Sequence, residues 1–301
     1  MVYTVTFNPA VDYVVRIDKM TAGTVNRLDH EEIVFGGKGI NVSLVLKELG
    51  IKSKALGFIA GFTGKAIRDG VEAAGVKTDF TELDSGFSRI NVKIKSEEET
   101  ELNGRGPEIK EKDIKNLFEK LDRLSDGDTL VLAGSIPAGV SPDIYEQILA
   151  RLSGKKIKAV VDASKELLLN VLKYKPFLVK PNNFELEEMF GVKINSVDEI
   201  ITYGKKMKEM GAENVLVSMA GEGAVLIDEN GNIHRCRAAK GEVKNSVGAG
   251  DSMVAGFIAG ISEGDYSYAL KLGTAAGGAT AFSYGIAERE FIMKLLKEIS
   301  Q

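Results

Sequence analysis

With 301 residues, 44% of them hydrophobic and 27% charged, the chain can build one large α/β domain or two ordinary ones, and it lies outside the composition of disordered segments. A formal net charge of −4 excludes the concentrated positive field that nucleic acid or an anionic membrane requires. One cysteine (Cys236) and two histidines (His30, His234) exclude a disulfide framework and a Cys/His zinc cluster, and residues 1–12 lack the apolar core of a secretory signal, so a reducing, cytoplasmic setting is expected.

The first predicted strand is VYTVTF (2–7), a β-branched run. From 11 to 35 the pattern has period two. Directly after that span comes GGKGIN (36–41), a glycine-rich turn that leads into a predicted helix at 38–49 and sets Lys38 and Asn41 beside a close backbone approach. A second helix is predicted at 63–74, followed by another period-two stretch at 87–102. There Ile90, Val92 and Ile94 fall on one face of a strand, and Arg89, Asn91 and Lys93 on the other. The two excursions are expected to meet in a small β-sheet lid whose apolar face is covered by a second copy of the chain, giving a homodimer. Taken by itself, the polar face reads equally well as a solvated outer surface.

Further on, the runs at 128–134, 158–164, 177–180 and 214–220 alternate with helical segments, which predicts parallel strands with helical crossovers. The first two are apolar nearly throughout, as strands covered on both faces must be. The expected fold class is therefore α/β: a doubly wound, mostly parallel sheet flanked by helices, with a small lid, as one domain over 1–301. Cys236 and His234 fall in a strand after a turn at 229–232 and are assigned no role. In VGAGDSMVAGFIAGI (247–261) apolar residues recur at helical spacing, placing a helix start near Gly250 with Gly248, Ala249 and Gly250 as an anion cradle and Asp251 in the first turn. An isolated G-A-G-D serves as readily to favour a helix N-terminus. The small residues of 275–285 fit tight helix packing better than contact with an adenine ring.

N-P-A-x-D (Asn8 to Asp12), G-G-K-G-I-N (Gly36 to Asn41), G-S-I-P (Gly134 to Pro137), K-P-N-x-x-E (Lys180 to Glu185) and G-A-G-D (Gly248 to Asp251) together resemble the ribokinase-like, or PfkB, carbohydrate kinases, in order and spacing over essentially the whole chain. Ser88 to Lys93 and V-G-A-G-D-S-M-V-A-G are most similar to bacterial members acting on fructose 1-phosphate; kinases of tagatose 6-phosphate are near relatives. The resemblance implies ATP-dependent phosphorylation of a ketose phosphate, most naturally fructose 1-phosphate to fructose 1,6-bisphosphate, with MgATP as co-substrate. A non-catalytic sugar-phosphate sensor would be expected to lack the base, yet Asp251 is present. A dinucleotide-binding dehydrogenase lacks its G-x-G-x-x-G after the first strand.

The resemblance also implies roles. Asp251 is the base and Gly248, Ala249 and Gly250 hold the transferring phosphoryl group. Asp12, Asn41, Gly36 and Gly37 bind the sugar, and Lys38, Arg89, Asn91 and Arg105 hold its phosphate, with Arg27 and Lys93 as weaker candidates. Lys180, Asn182, Ser218, Ala220, Gly221, Glu222 and Gly223 serve the nucleotide, and Glu185 organises Mg²⁺ through water. Ala220 departs from the glycine usual in relatives and would be strained if that position needs a positive φ.

Overall fold

Strands buried on both faces need apolar side chains in both directions, and Leu130–Ala133 and Val160–Val161 supply them: none is more than 3% exposed. The computed structural model describes residues 1–163, 165–262 and 264–301, so Ser164, at the end of the predicted run 158–164, lies outside the described residues. In chain order β1 (Val2–Thr6) is followed by β2 (Ala10–Arg16), β3 (His30–Gly36), α1 (Lys38–Glu48), β4 (Ser53–Ala60), α2 (Gly61–Ala73), β5 (Lys77–Thr78) and β6 (Thr81–Leu83). Next come β7 (Arg89–Lys95), β8 (Thr100–Asn103), α3 (Glu111–Leu121), β9 (Thr129–Ala133), α4 (Ile144–Leu152), β10 (Lys158–Asp162), α5 (Lys165–Val171), β11 (Leu178–Val179) and α6 (Asn183–Phe190). The chain continues through α7 (Val197–Glu209), β12 (Asn214–Ser218), β13 (Ala224–Ile227), β14 (Ile233–Cys236), α8 (Ala249–Ile261), α9 (Tyr266–Ala281) and α10 (Arg289–Ser300).

The main sheet runs β14-β13-β12-β11-β10-β9-β1-β4-β5, with β6 also on β4. Pairing is parallel from β5 to β12 and antiparallel through β12, β13 and β14. The C-terminal ends of β1, β9, β10 and β11 therefore share one edge, where an open α/β sheet gathers its ligands. One apolar cluster packs helices α3 to α7 on one side of the sheet, and another packs α1, α8, α9 and α10 on the other. Between Pro176 and Pro181 the predicted strand 177–180 shrinks to the two residues of β11, since neither proline can donate to a ladder.

Helices α8 and α9 approach closely because glycine faces backbone: a Cβ on Gly256 would lie 2.6 Å from the Leu272 carbonyl, and one on Gly260 would lie 2.6 Å from the Ala269 Cα. Tight helix packing thus accounts for the small residues of 275–281, among which Ala275, Ala276 and Ala279 are fully buried. The second sheet, in the order β3-β2-β7-β8, joins the two period-two excursions, with Asp12 beside Asn91 and Val14 beside Lys93 in the parallel β2–β7 pair. Its polar face is the covered one: Asn91 is 5% and Lys93 8% exposed, whereas Ile33 (62%), Ile90 (37%) and Leu102 (57%) are open. The reading of Arg89, Asn91 and Lys93 as a solvated surface is therefore corrected. This lid sheet buries its polar residues against the sheet edge and turns apolar ones outward.

Candidate active site

Helix α8 begins one residue earlier than the spacing predicts, at Ala249, with Gly248 as its N-cap in the left-handed region (φ 82°). A side chain at Gly248 would be strained there and would lie 3.2 Å from Ile286. Of the expected cradle amides, that of Ala249 makes a long 3.3 Å bond to the Ser246 carbonyl. A Cβ at Gly250 would lie 3.3 Å from the Lys180 ammonium, so the cradle and a lysine occupy the same spot, as an anion site requires.

Asp251 is 4% exposed, and its Oδ2 accepts a 2.8 Å bond from Asn41 Nδ2, joining the first helix of the chain to the eighth. Burial pushes the carboxyl up to about 6, assisted by the charge of Asp162 and opposed by Lys38, Asn41 and Lys180. Lys38 reaches Asp162 Oδ2 at 3.1 Å; burial works against its charge, but Asp162 and Asp251 outweigh it and hold the ammonium protonated. Lys180 Nζ lies 3.3 Å from Asp162 Oδ1. That oxygen accepts no hydrogen bond of good geometry, so the second contact is ionic. Although burial opposes its charge, Lys180 and Lys38 hold the Asp162 carboxyl below its usual range.

On the lid's inner face Asp12 Oδ1 accepts from Asn91 Nδ2 at 2.7 Å, and its Oδ2 lies 3.3 Å from Lys93 Nζ. Lys93, the weaker candidate, therefore stands beside Asp12. Arg89 Nε donates to the Asn8 carbonyl at 3.0 Å; burial lowers its pKa, partly offset by Asp12, and the guanidinium remains charged. Gly36 admits Asp12, since a Cβ there would lie 3.2 Å from Oδ2, while a Cβ on Gly37 (φ 134°) would lie 2.5 Å from Thr6. The close approach at Gly37 is thus to backbone-anchored protein rather than to open space. Two further candidates stand at exposed positions: the Arg105 carbonyl accepts from Asn8 and its side chain is exposed, and Arg27 is exposed on the β2–β3 connection.

Beyond β11, Asn182 and Glu185 form a capping box on α6: Asn182 Oδ1 accepts from the Glu185 amide at 2.8 Å, and Glu185 Oε2 from the Asn182 amide at 2.9 Å. Asn182 also bridges to Ser218, which brings the 218–223 turn alongside. Ala220 has φ 48°, so the positive φ is present and alanine carries its strain. Gly223 (φ 97°) is irreplaceable, its Cβ site lying 2.0 Å from the Cys236 carbonyl, while Gly221 and Glu222 are exposed on the turn. His234 bonds to Asp228 in the β13–β14 hairpin and stands apart from the site.

Among the described residues no cluster of three or more metal-ligating acids, histidines or cysteines occurs. Glu185 is half-buried and its charge acts on Lys38; a single carboxylate fits a hydrated Mg²⁺ shared with phosphates, which needs no all-protein cage. A cavity of about 840 Å³ lies at the opposite end of the strands around Lys158, Phe177 and Tyr266 and holds none of these groups. Convergence of charge, rather than volume, marks the site. Asp162 went unnoticed in the sequence; its only signal was an acid ending an apolar run at the ligand-gathering edge.

The chain is 48% identical to a 1-phosphofructokinase of Bacillus subtilis, over 99% of this chain and 98% of the relative. It is 39% identical to a D-tagatose-1-phosphate kinase of Bacillus licheniformis, over 100% and 98%. In structure it matches Escherichia coli phosphofructokinase-2, solved with substrates and products, at a TM-score of 0.94 and 25% identity, over 100% and 99% of the two chains. The pfkB family carbohydrate kinase profile spans residues 5–290, and the chain belongs to that family.

Proposed function

We propose that the protein transfers the γ-phosphoryl group of ATP to the 6-hydroxyl of fructose 1-phosphate, giving fructose 1,6-bisphosphate and ADP. What carries this reading is the buried Asp251 carboxylate, adjoining the Gly248–Gly250 turn and the Lys180 ammonium, tied through Asn41 to the loop that also holds Lys38. Phosphoryl transfer asks mainly for alignment and charge stabilisation, and this arrangement provides both. Asp251 accepts the hydroxyl proton late, as that oxygen bonds to phosphorus and the bond to the ADP oxygen breaks. Ionised above about pH 6, it is available at neutral pH. The Gly248, Ala249 and Gly250 turn and Lys180 meet the charge of the moving group, which helix α8 favours through its N-terminal dipole.

Asp12, held by Asn91 and Lys93, accepts from sugar hydroxyls with Asn41 and the Gly36 and Gly37 backbone beside it. Arg89 neutralises the substrate phosphate, while Lys38, 3.1 Å from Asp162, meets charge at the transfer end from the other side of that carboxylate. Asn182, Ser218, Ala220, Gly221, Glu222 and Gly223 flank the nucleotide, and Glu185 would hold Mg²⁺ through water. When bound, that ion offsets the charge of the polyphosphate. The 1–301 span acts as one kinase domain, and the open Ile33, Ile90 and Leu102 of the lid pack against a second copy.

The tagatose-1-phosphate kinase named among the relatives supports a second reading, in which the C4 epimer of the same ketose 1-phosphate is accepted. A coupled assay of ADP release with MgATP across fructose 1-phosphate, fructose 6-phosphate, tagatose 1-phosphate and tagatose 6-phosphate decides. The highest kcat/KM is expected for fructose 1-phosphate, and no turnover with any ketose phosphate would refute the kinase reading.

A further inference from the structure

Two lysines at an anion site repel each other unless something between them absorbs the repulsion. Asp162 stands there: 1% exposed, at the C-terminal end of β10, 3.1 Å from Lys38 on the loop side and 3.3 Å from Lys180 on the cradle side. Resting on the kinase reading, we infer that Asp162 is a positioning residue for the transfer, a buried carboxylate that spaces Lys38 and Lys180 to either side of the cradle and keeps both from collapsing onto the nucleotide's phosphates.

The reasoning is electrostatic. Neither ammonium has another acid within bonding distance among the described residues, so each is oriented by this one carboxylate. Groups facing Asp162 from the packed elements are Lys38 of α1, Lys180 after β11, Tyr145 of α4 and Asp251 of α8, with Glu185 of α6 acting on Lys38. Tyr145 is fully buried and donates to the Gly134 carbonyl at 3.0 Å; the stem of Lys38 lies about 3.9 Å from where a Gly134 Cβ would stand. The loop after β9 is thereby fixed as a wall along that stem. An acid at position 162 also lifts the Asp251 carboxyl, so the same group that sets the lysines apart sets the pH range of the base.

The test compares Asp162→Asn with the parent in three readouts. Loss of the charge should lower kcat about 10- to 100-fold, shift the acid limb of kcat/KM to lower pH, and tighten ADP binding several-fold by calorimetry at pH 8, because two lysines turn from the carboxylate to the polyphosphate. A purely structural role would reduce the active fraction while leaving the limb and ADP affinity in place. Should Asp162→Asn fail to fold, Asp162→Asn/Lys180→Gln leaves one fewer buried cation unpaired and is expected to fold, with the acid limb lowered. An unmoved limb or unchanged ADP affinity in a folded variant would overturn the inference. So would a failure of both variants and of Asp162→Glu to fold, which would make the group structural alone. ADP affinity is read without sugar, so a negative result with every ketose phosphate would sink the kinase assignment while leaving the spacing of the lysines testable.

Discussion

Replacing Asp251 by asparagine should make the protein more stable and nearly inactive at once. Burial holds this carboxyl at about 6 in the folded chain, against 3.8 when unfolded. Since the folded state binds its proton more tightly, stability falls as pH rises from the unfolded to the folded value, and the loss is complete above about 6. A difference of about two pKa units corresponds to roughly 3 kcal/mol at pH 7.5, and to about half of that at pH 5. An unfolding entropy of about 2.1 cal/mol/K per residue over 301 residues gives roughly 0.6 kcal/mol/K, so Asp251→Asn should raise Tm by about 4–5 °C at pH 7.5 and by about half as much at pH 5. Asparagine can still accept the Asn41 bond, so little else changes. Scanning calorimetry at both pH values measures the stability, and the coupled assay should show kcat lower by about 10² or more with KM for both substrates within a few-fold. A variant less stable than the parent at both pH values, or one that retains turnover, would refute the picture of a strained buried base.

Four further outcomes follow from the same geometry. Activity of the parent should be lost as pH falls through about 6, because protonated Asp251 cannot accept the hydroxyl proton; a kcat/KM profile flat down to pH 5 would contradict this. Arg89→Ala should raise KM for the sugar phosphate at least about tenfold while leaving KM for ATP nearly unchanged, the cost of a lost charge-assisted contact in steady-state kinetics. Ala220→Gly should stabilise the fold by about 0.5–1 kcal/mol by relieving a left-handed alanine, visible as a rise in Tm of a degree or two. Ile33→Asp on the open lid face should yield monomers in sedimentation velocity if that face joins two copies.

The main sheet was legible because its strands are apolar on both faces, a pattern that few other environments tolerate. The lid was legible from its alternation, but alternation says only that two faces differ, and hydrophobicity alone would have turned Ile90 inward. Asn91 and Lys93 face the site because Asp12 and the sheet edge give them partners, a fact of tertiary contact that period two does not encode. The glycines told a mixed story for a related reason. Gly250 makes room for the Lys180 ammonium, whereas Gly37 makes room for Thr6, and in the sequence both are the same missing side chain. Asp162 was hidden most completely, since it belongs to no glycine turn and contributes its charge 124 residues from Lys38.

What joins these groups is that each acid in the site has a cation or an amide to answer it and each does something different with the answer. Asp12 is held by a lid lysine and presents its oxygens toward the sheet edge, where a sugar hydroxyl would be met. Asp162 is pinned between two ammonium groups and held below its usual range. Asp251 receives a single amide and the fields of more distant lysines, too little to offset its burial, and so rises toward neutrality while Asp162 does not. A carboxylate left under-compensated at the start of a helix is unfavourable for folding, and on the proposed mechanism it stands at the position where a proton has to be taken. Raising the charge around Asp251 further, for example by Ser252→Lys, would be expected to stabilise its ionised form and weaken it as a base. The fully buried Ser252 hydroxyl, bonded to Gly248 and Thr280, leaves no room for such a change.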